Sequence, residues 1–426
     1  MEELIASDPD ERATRNMQQS RSFARRAQEK LPELLKFAAL AVIIPVLIVS
    51  VLGEVLEFAR TLNDSKTAAN KDFISYWAAA RLLADHRNPY DPPRVQAIER
   101  SVGYLPHRGI TMRNPPVALA LVLPLALMPV KWAAFVWSLL IVACAAVTVH
   151  LIWVIHHRPS NKIHLLGFLF PATLSCFAAG QTSVFALTGL ALFFRFQRTR
   201  PFLAGMCIAA CLIKPHLFIP FGVVLLLWAV VNKAWPLALG ACTAVAVTLA
   251  IVMPFDGALW PEYFALLRGP GISQEFIPVV GSLIRLLIAP NKMWVQFVPA
   301  PLGVVWAIFF YRRHRKHWDW RSHGSLVLLI SLLVAPYAWF FDEIVVLPAV
   351  LHALYASKNQ QRAVIGFGMI SSLAMVETLA GAPLYSGYYM WTTPAWLAWF
   401  IIETRQHVFE KTAGKTLLAG PPLPIK

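Results

Sequence analysis

Between short polar clusters the chain runs apolar for lengths that match a bilayer. The first such run, LLKFAALAVIIPVLIVSVLGEVL, follows a polar stretch of 36 residues. It exceeds the roughly 20 residues that a transmembrane helix needs. Basic residues fill the gaps between later runs: HHRPSNK at 156–162, RFQRTR at 195–200, NK at 232–233, YRRHRKHWDWR at 311–321 and SKNQQR at 357–362. Positive charge near span ends marks the cytoplasmic side. With these clusters and the Arg-rich first 36 residues all placed there, spans fall near 37–58, 132–154, 163–179, 182–196, 202–213, 217–231, 235–255, 293–311, 325–337, 342–356, 363–380 and 392–402. The pattern therefore predicts an all-α, polytopic transmembrane chain of about twelve spans. A cytoplasmic polar tail covers 1–36, the transmembrane domain 37–402 and a second cytoplasmic tail 403–426.

Two further apolar stretches, 115–130 and 277–288, are short and broken by Pro or Gly. They are expected as re-entrant or surface-lying helices on the outer side, which is allowed where protein covers their backbone. The first outer loop then spans 59–115 and holds short helices of its own. Its segment DFISYWAAARLLADHRNPYDP predicts a helix over about 73–85, with Asp72 at the cap position and Asn88-Pro89 as the stop; a second short helix follows Pro93. Ile74, Trp77 and Leu82 are expected to face the bilayer.

Composition agrees with a membrane protein. Of 426 residues, 57% are hydrophobic and 14% charged, against roughly 45–50% and 25% in soluble chains, and the mean hydropathy is +0.56. Lys and Arg outnumber Asp and Glu by 38 to 23. In a soluble protein that excess would point to nucleic acid, but here the basic residues are topology signals, so no nucleic-acid partner is expected. Loop one is the exception, with nine Lys or Arg on the outer side; a folded loop of that length escapes the charge rule, and its basic surface suits anionic lipid. The five cysteines lie inside apolar segments without metal spacing. Neither a metal nor a cofactor is called for, and nucleotide-loop, zincin and hydrolase-elbow motifs are missing.

A set of motifs in fixed order carries a resemblance. D-F-x-x-Y-W-A-A-A-R-x-L-x-x-x-x-N-P-Y-D begins at Asp72, N-P-P falls at 114–116, P-L-A-L-M-P at 124–129, G-Q at 180–181, K-P-H at 214–216, G-S-L-x-R-L-L at 281–287 and P-Y-A-W-x-F-D at 336–342. Together they resemble glycosyltransferase family 87 of the GT-C superfamily, from about residue 70 to 350. The resemblance implies a multi-pass enzyme of a bacterial inner membrane with its active site on the periplasmic side. It also implies a hexose, such as mannose, moved from a polyprenyl-phosphate donor to a lipid or glycan acceptor with inversion at the anomeric carbon.

Such chemistry needs a base for the acceptor hydroxyl and cations for the departing phosphate. Asp72 matches the position of the GT-C catalytic carboxylate, which implies a general base; its plain alternative is a helix cap. Lys214 and His216 at a membrane turn are candidates for the phosphate, as are Arg285, Arg81 and Arg113, against snorkelling or solvated charge. Gln181 either bonds a sugar hydroxyl or ties two helices. Asp342 and Glu343 either bind the acceptor, or one replaces Asp72, or the pair caps a helix. Tyr76, Trp77 and Tyr90 are candidate sugar walls, although aromatics crowd any membrane interface. Two rival functions stay open: a lipid-linked sugar carrier or flippase, and an oligosaccharide polymerase or ligase.

Overall fold

The computed structural model describes residues 43–53, 55–56, 59–60, 71–104, 110–269 and 276–408. Both expected terminal tails, apart from residues 403–408, lie outside this set. Helix accounts for 78% of the structure, and no strand occurs among the described residues. Helices of eight residues or more are numbered α1 (Ile43–Gly53), α2 (Phe73–Ala84), α3 (Pro92–Ser101), α4 (Val130–Ile155), α5 (Pro171–Ala179), α6 (Ser183–Phe196), α7 (Pro201–Ile208) and α8 (Ile219–Val231). The second half contributes α9 (Trp235–Val252), α10 (Leu259–Arg268), α11 (Val280–Ile288), α12 (Pro299–His314), α13 (Ser325–Leu333), α14 (Leu347–Ala356), α15 (Gln360–Leu379) and α16 (Thr392–Val408).

Four helical stretches are long and apolar enough to cross a membrane by themselves: α4, α9, Met293–His317 and α15. A fifth span results if Pro201–Ile213 and Pro215–Val231, bent by 118° at their junction, count as one. The expected count of about twelve spans is not confirmed among the described residues, where several apolar runs are broken by their own sequence. Residues 163–179 form the 3₁₀ turn Ile163–Leu169 and then α5, restarted at Pro171. Residues 342–356 likewise divide into the 3₁₀ segment Phe340–Val346 and α14. The stretch 115–130 is three short turns, Pro116–Ala118, Leu119–Val122 and Leu123–Leu127, as its prolines dictate.

α4 acts as a ruler for the rest. Its 26 residues extend roughly 39 Å at 1.5 Å per residue. Near its start Trp137 donates from Nε1 to the Gly180 carbonyl at 2.8 Å. Just past its end, His156 meets His352 at 3.0 Å. These two attachment points are separated by nearly the thickness of a bilayer core, about 30 Å. Close helix packing fills the space between: a Cβ on Gly205 would fall 2.0 Å from the Leu237 carbonyl, and one on Gly240 2.0 Å from that of Phe202. α7 and α9 therefore touch backbone to backbone, as small residues permit in membrane helices.

Loop one packs onto this bundle through α2. That helix is buried on nearly all sides, with only Arg81 exposed and Ala84 partly so; Ile74, Trp77 and Leu82 are 0%, 5% and 3% exposed, which corrects their expected bilayer-facing position. It stops earlier than Asn88-Pro89, at Ala84, and His86 follows in the left-handed region at φ 56°. α3 starts at Pro92, two residues ahead of its expected start, with Asp91 accepting from the Arg94 backbone N–H as an N-cap.

Candidate active site

Three chain breaks meet at the end of the bundle that holds the start of α4. The first is the entry to α2, where Asp72 occupies the N-cap position but its carboxylate makes no capping bond. The second is the α5–α6 turn. Gly180 ends α5 in the left-handed conformation (φ 68°), and a Cβ there would stand 3.2 Å from that of Phe73. A larger residue would be both strained and crowded, so glycine lets this turn dock against α2, where the Asp72 N–H donates to the Ala179 carbonyl at 3.0 Å. The third is the kink between α7 and α8, where Lys214 precedes Pro215. A residue before proline is pushed out of helical geometry, and Lys214 adopts φ −139°, ψ 69°.

These breaks deliver Asp72, Gln181 and Lys214 into one hydrogen-bond network, an open ring of side chains. Gln181 is its adaptor: Nε2 donates to Asp72 Oδ2, while Oε1 accepts from Tyr76 Oη at 2.9 Å and from Lys214 Nζ at 2.8 Å. The amide orientation follows from the partners, since an ammonium only donates and a carboxylate only accepts. Lys214 also donates to Asp342 Oδ1 at 2.6 Å. Asp342 accepts further from Ser183 Oγ and, through Oδ2, from the Trp339 N–H at 3.0 Å. The other Asp72 oxygen, Oδ1, accepts from Tyr385 Oη at 2.6 Å.

The two aspartates thus have different electrostatics. Asp342 is 0% exposed and pairs directly with an ammonium. Asp72 is 6% exposed and takes its two bonds from neutral groups. Burial pushes its carboxyl up from 3.8 to about 6, against the lowering effect of the Tyr385 and Gln181 hydrogen bonds. The network of Asp72, Lys214 and Asp342 carries one net negative charge when Asp72 is ionised.

Other candidates lie around this ring or away from it. His216 stands edge-on to Tyr337 with centroids 5.5 Å apart. Tyr337 Oη accepts from Arg113 Nη1 at 3.4 Å and from Trp339 Nε1 at 3.0 Å. Glu343 Oε1 accepts from Thr392 at 2.6 Å and Thr393 at 2.5 Å, while Oε2 has no partner among the described residues; the residue lines a cavity of about 30 Å³. Arg285 sits on α11, where Nη1 meets Met293 Sδ at 2.9 Å, and the ring described above runs without it. Trp77 donates to the Met128 carbonyl at 3.1 Å, with the Arg81 guanidinium 5.4 Å above its ring. Tyr90 donates to the Asn114 carbonyl at 3.0 Å. The last two aromatics hold loop one together, and of the three proposed walls only Tyr76 joins the ring.

Five participants escaped sequence reasoning. Tyr385, Ser183 and the Thr392–Thr393 pair are remote in sequence from the carboxylates they bond. Asn114 staples the site from behind, donating from Nδ2 to Thr182 Oγ1 at 3.3 Å and to the Ile213 carbonyl at 3.1 Å. A signal existed for Asn114 in the N-P-P motif and for Tyr385 in the aromatic loop GAPLYSGYYMWTTP.

Several apolar spans and a buried polar network gathered at one end of the bundle define a polytopic membrane protein built around a site within its helices. The family model for glycosyltransferase family 87 matches residues 113–336, more than half the chain. The chain belongs to glycosyltransferase family 87 and is a membrane glycosyltransferase. No curated protein and no solved structure matches it. The matched region contains Gln181 and Lys214; Asp342 falls shortly after it and Asp72 well before it, and both are tied to it by the bonds above.

Proposed function

We propose that the protein transfers a hexose from a polyprenyl-phosphate donor to a hydroxyl of a lipid or glycan acceptor, with Asp72 as general base. One observation carries this reading: a buried carboxylate held only by neutral donors and joined through Gln181 to a buried ion pair. A carboxyl raised to about 6 is ionised at neutral pH yet basic enough to accept a proton efficiently.

In the step proposed, the acceptor oxygen attacks the anomeric carbon from the face opposite the phosphate. Its proton passes to Asp72, the bond from anomeric carbon to phosphate oxygen breaks, and polyprenyl phosphate departs with the electron pair. A single displacement inverts the anomeric centre. Lys214 is not an open cradle for that phosphate, because Asp342 already balances its charge. Anion binding falls to Arg113 and His216, gathered at Tyr337, while Lys214 fixes the ring. The site would face the periplasm, in keeping with the basic clusters 156–162 and 311–321 at the far end of α4.

Purified protein incubated with polyprenyl-phosphate hexoses and membrane lipid extract tests the reading by product mass. The expected product is acceptor plus one hexose, abolished by Asp72→Asn. Lipid-linked sugar crossing vesicles without transfer, undiminished by Asp72→Asn, would establish the carrier instead.

A further inference from the structure

Loop one and the start of α4 enclose an open groove of about 940 Å³, the size of a small-ligand site. Arg81, Arg87 and Arg94 line it together with a single carboxylate, Asp85. Arg94 is partly engaged, with Nε 3.2 Å from Asp91, and Arg81 spends one N–H on the Ala126 carbonyl at 3.0 Å. Guanidinium groups carry five donors each, so most remain available. The groove keeps a positive balance even with Asp91 counted.

Its remaining wall is apolar and set at the membrane boundary. Trp77 and Val130 line it, and Val130 is the first residue of the spanning helix α4. Two residues on, the exposed Trp132 carries Lys131 Nζ 6.0 Å from its ring centre. A tryptophan with a lysine at a span end marks the headgroup level of a bilayer. An opening bounded by arginines on one side and by a span end on the other fits a phosphate attached to an acyl or prenyl chain.

This anion is a different one from the phosphate released beside Asp72. Trp77 and Arg81, at i and i+4, share a stripe turned about 100° from that of Asp72 and Tyr76, and Arg81 lies nine residues, or roughly 13 Å, farther along the helix. We infer that the groove between α2, α3 and the start of α4 is a second site, which docks the phosphate headgroup of a membrane lipid through Arg81, Arg87 and Arg94. The inference does not depend on sugar transfer.

Native mass spectrometry of the full-length protein from mixed micelles tests it. Dioleoyl phosphatidic acid and dioleoyl phosphatidylcholine are offered in equal amounts, with inorganic phosphate as competitor. Retention of phosphatidic acid over phosphatidylcholine is expected. Arg87→Gln combined with Arg94→Gln changes two exposed side chains and should weaken that retention about tenfold or more, as two charge-assisted contacts are lost. Asp72→Asn should retain lipid like the native chain, which separates this site from the catalytic proposal. Equal retention by the double variant overturns the inference, and so does displacement of the lipid by inorganic phosphate at matched concentration.

Discussion

The two ends of α4 each hold a polar cluster, and their charges are arranged in opposite ways. At the far end His156 Nδ1 lies 2.9 Å from the Ile152 carbonyl, so this nitrogen bears the proton, and Nε2 of the neutral ring accepts from His352 Nδ1 at 3.0 Å. Ser322 Oγ bridges His352 Nε2 at 3.1 Å and Asp319 Oδ2 at 3.2 Å. Asp319 also meets Arg321 Nε at 3.3 Å, so its charge is fully matched. At the near end Lys214 satisfies Asp342, and Asp72 is left with a phenol and an amide. Matched charge locks helices together; a buried charge without a counter-ion costs stability and is the mark of a reacting group.

The largest expected effect comes from removing that unmatched charge. Asp72→Asn should lower the transfer rate by roughly 10²–10⁴ and leave the fold intact, because asparagine can accept from Gln181 and donate to the tyrosine oxygen. The sign of the stability change follows from linkage. A carboxyl raised from 3.8 to about 6 binds more protons folded than unfolded, so stability is highest below about 4 and falls as pH rises through about 6. At pH 7 the variant should unfold no earlier than the native chain, measured as midpoint in detergent. An inactive variant that is also markedly less stable would assign Asp72 a structural role.

Lys214→Ala reverses the pattern. It strands Asp342 at 0% exposure without its counter-ion, which costs about 3–5 kcal/mol. Thermal unfolding should shift down sharply, and a second change, Asp342→Asn, should recover much of the loss. If the double variant stays as unstable as the single one, the ion pair is not what holds the α7–α8 kink to the Phe340–Val346 turn.

Much of this ring was legible because its members sit where local sequence rules break helices. Gly180-Gln181 ends α5, Lys214-Pro215 forces the kink, and Asp72 opens α2. What escaped was long-range: Tyr385 reaches Asp72 across 313 positions, and no local pattern encodes such a contact. The roles of Trp77 and Tyr90 are hard to read from sequence for a related reason. Aromatic residues are needed at membrane interfaces and in packed loops alike, and only the partner of each ring, Met128 or Asn114, separates those uses from sugar stacking. The span count is left unconfirmed where proline restarts a helix inside an apolar run, since hydropathy averages across the break.

Tyr385→Phe offers a finer cut within the near cluster. The phenol donates to Asp72 and lowers its pKa, so its removal should move the acid limb of the pH–rate profile above about 6. The rate at pH 8 should fall by no more than about tenfold, the scale of one hydrogen bond. An unmoved limb would mean that Asp72 does not titrate in the rate-determining step.

The smallest effect should come from the far cluster. His352→Gln keeps a polar side chain between His156 and Ser322 but removes the imidazole that joins them, while Arg321 still meets the charge of Asp319. The expected cost is about 1 kcal/mol, seen as a slight fall in unfolding midpoint, with transfer activity at pH 7 within about twofold of native. The contrast with Asp72→Asn is then complete: at one end the carboxylate keeps its arginine when a neighbouring ring is lost, and at the other no counter-ion stands by the carboxylate. If His352→Gln abolished transfer in a chain that unfolds normally, the two ends would be coupled through α4, and matched charge would no longer distinguish a structural cluster from a reacting one.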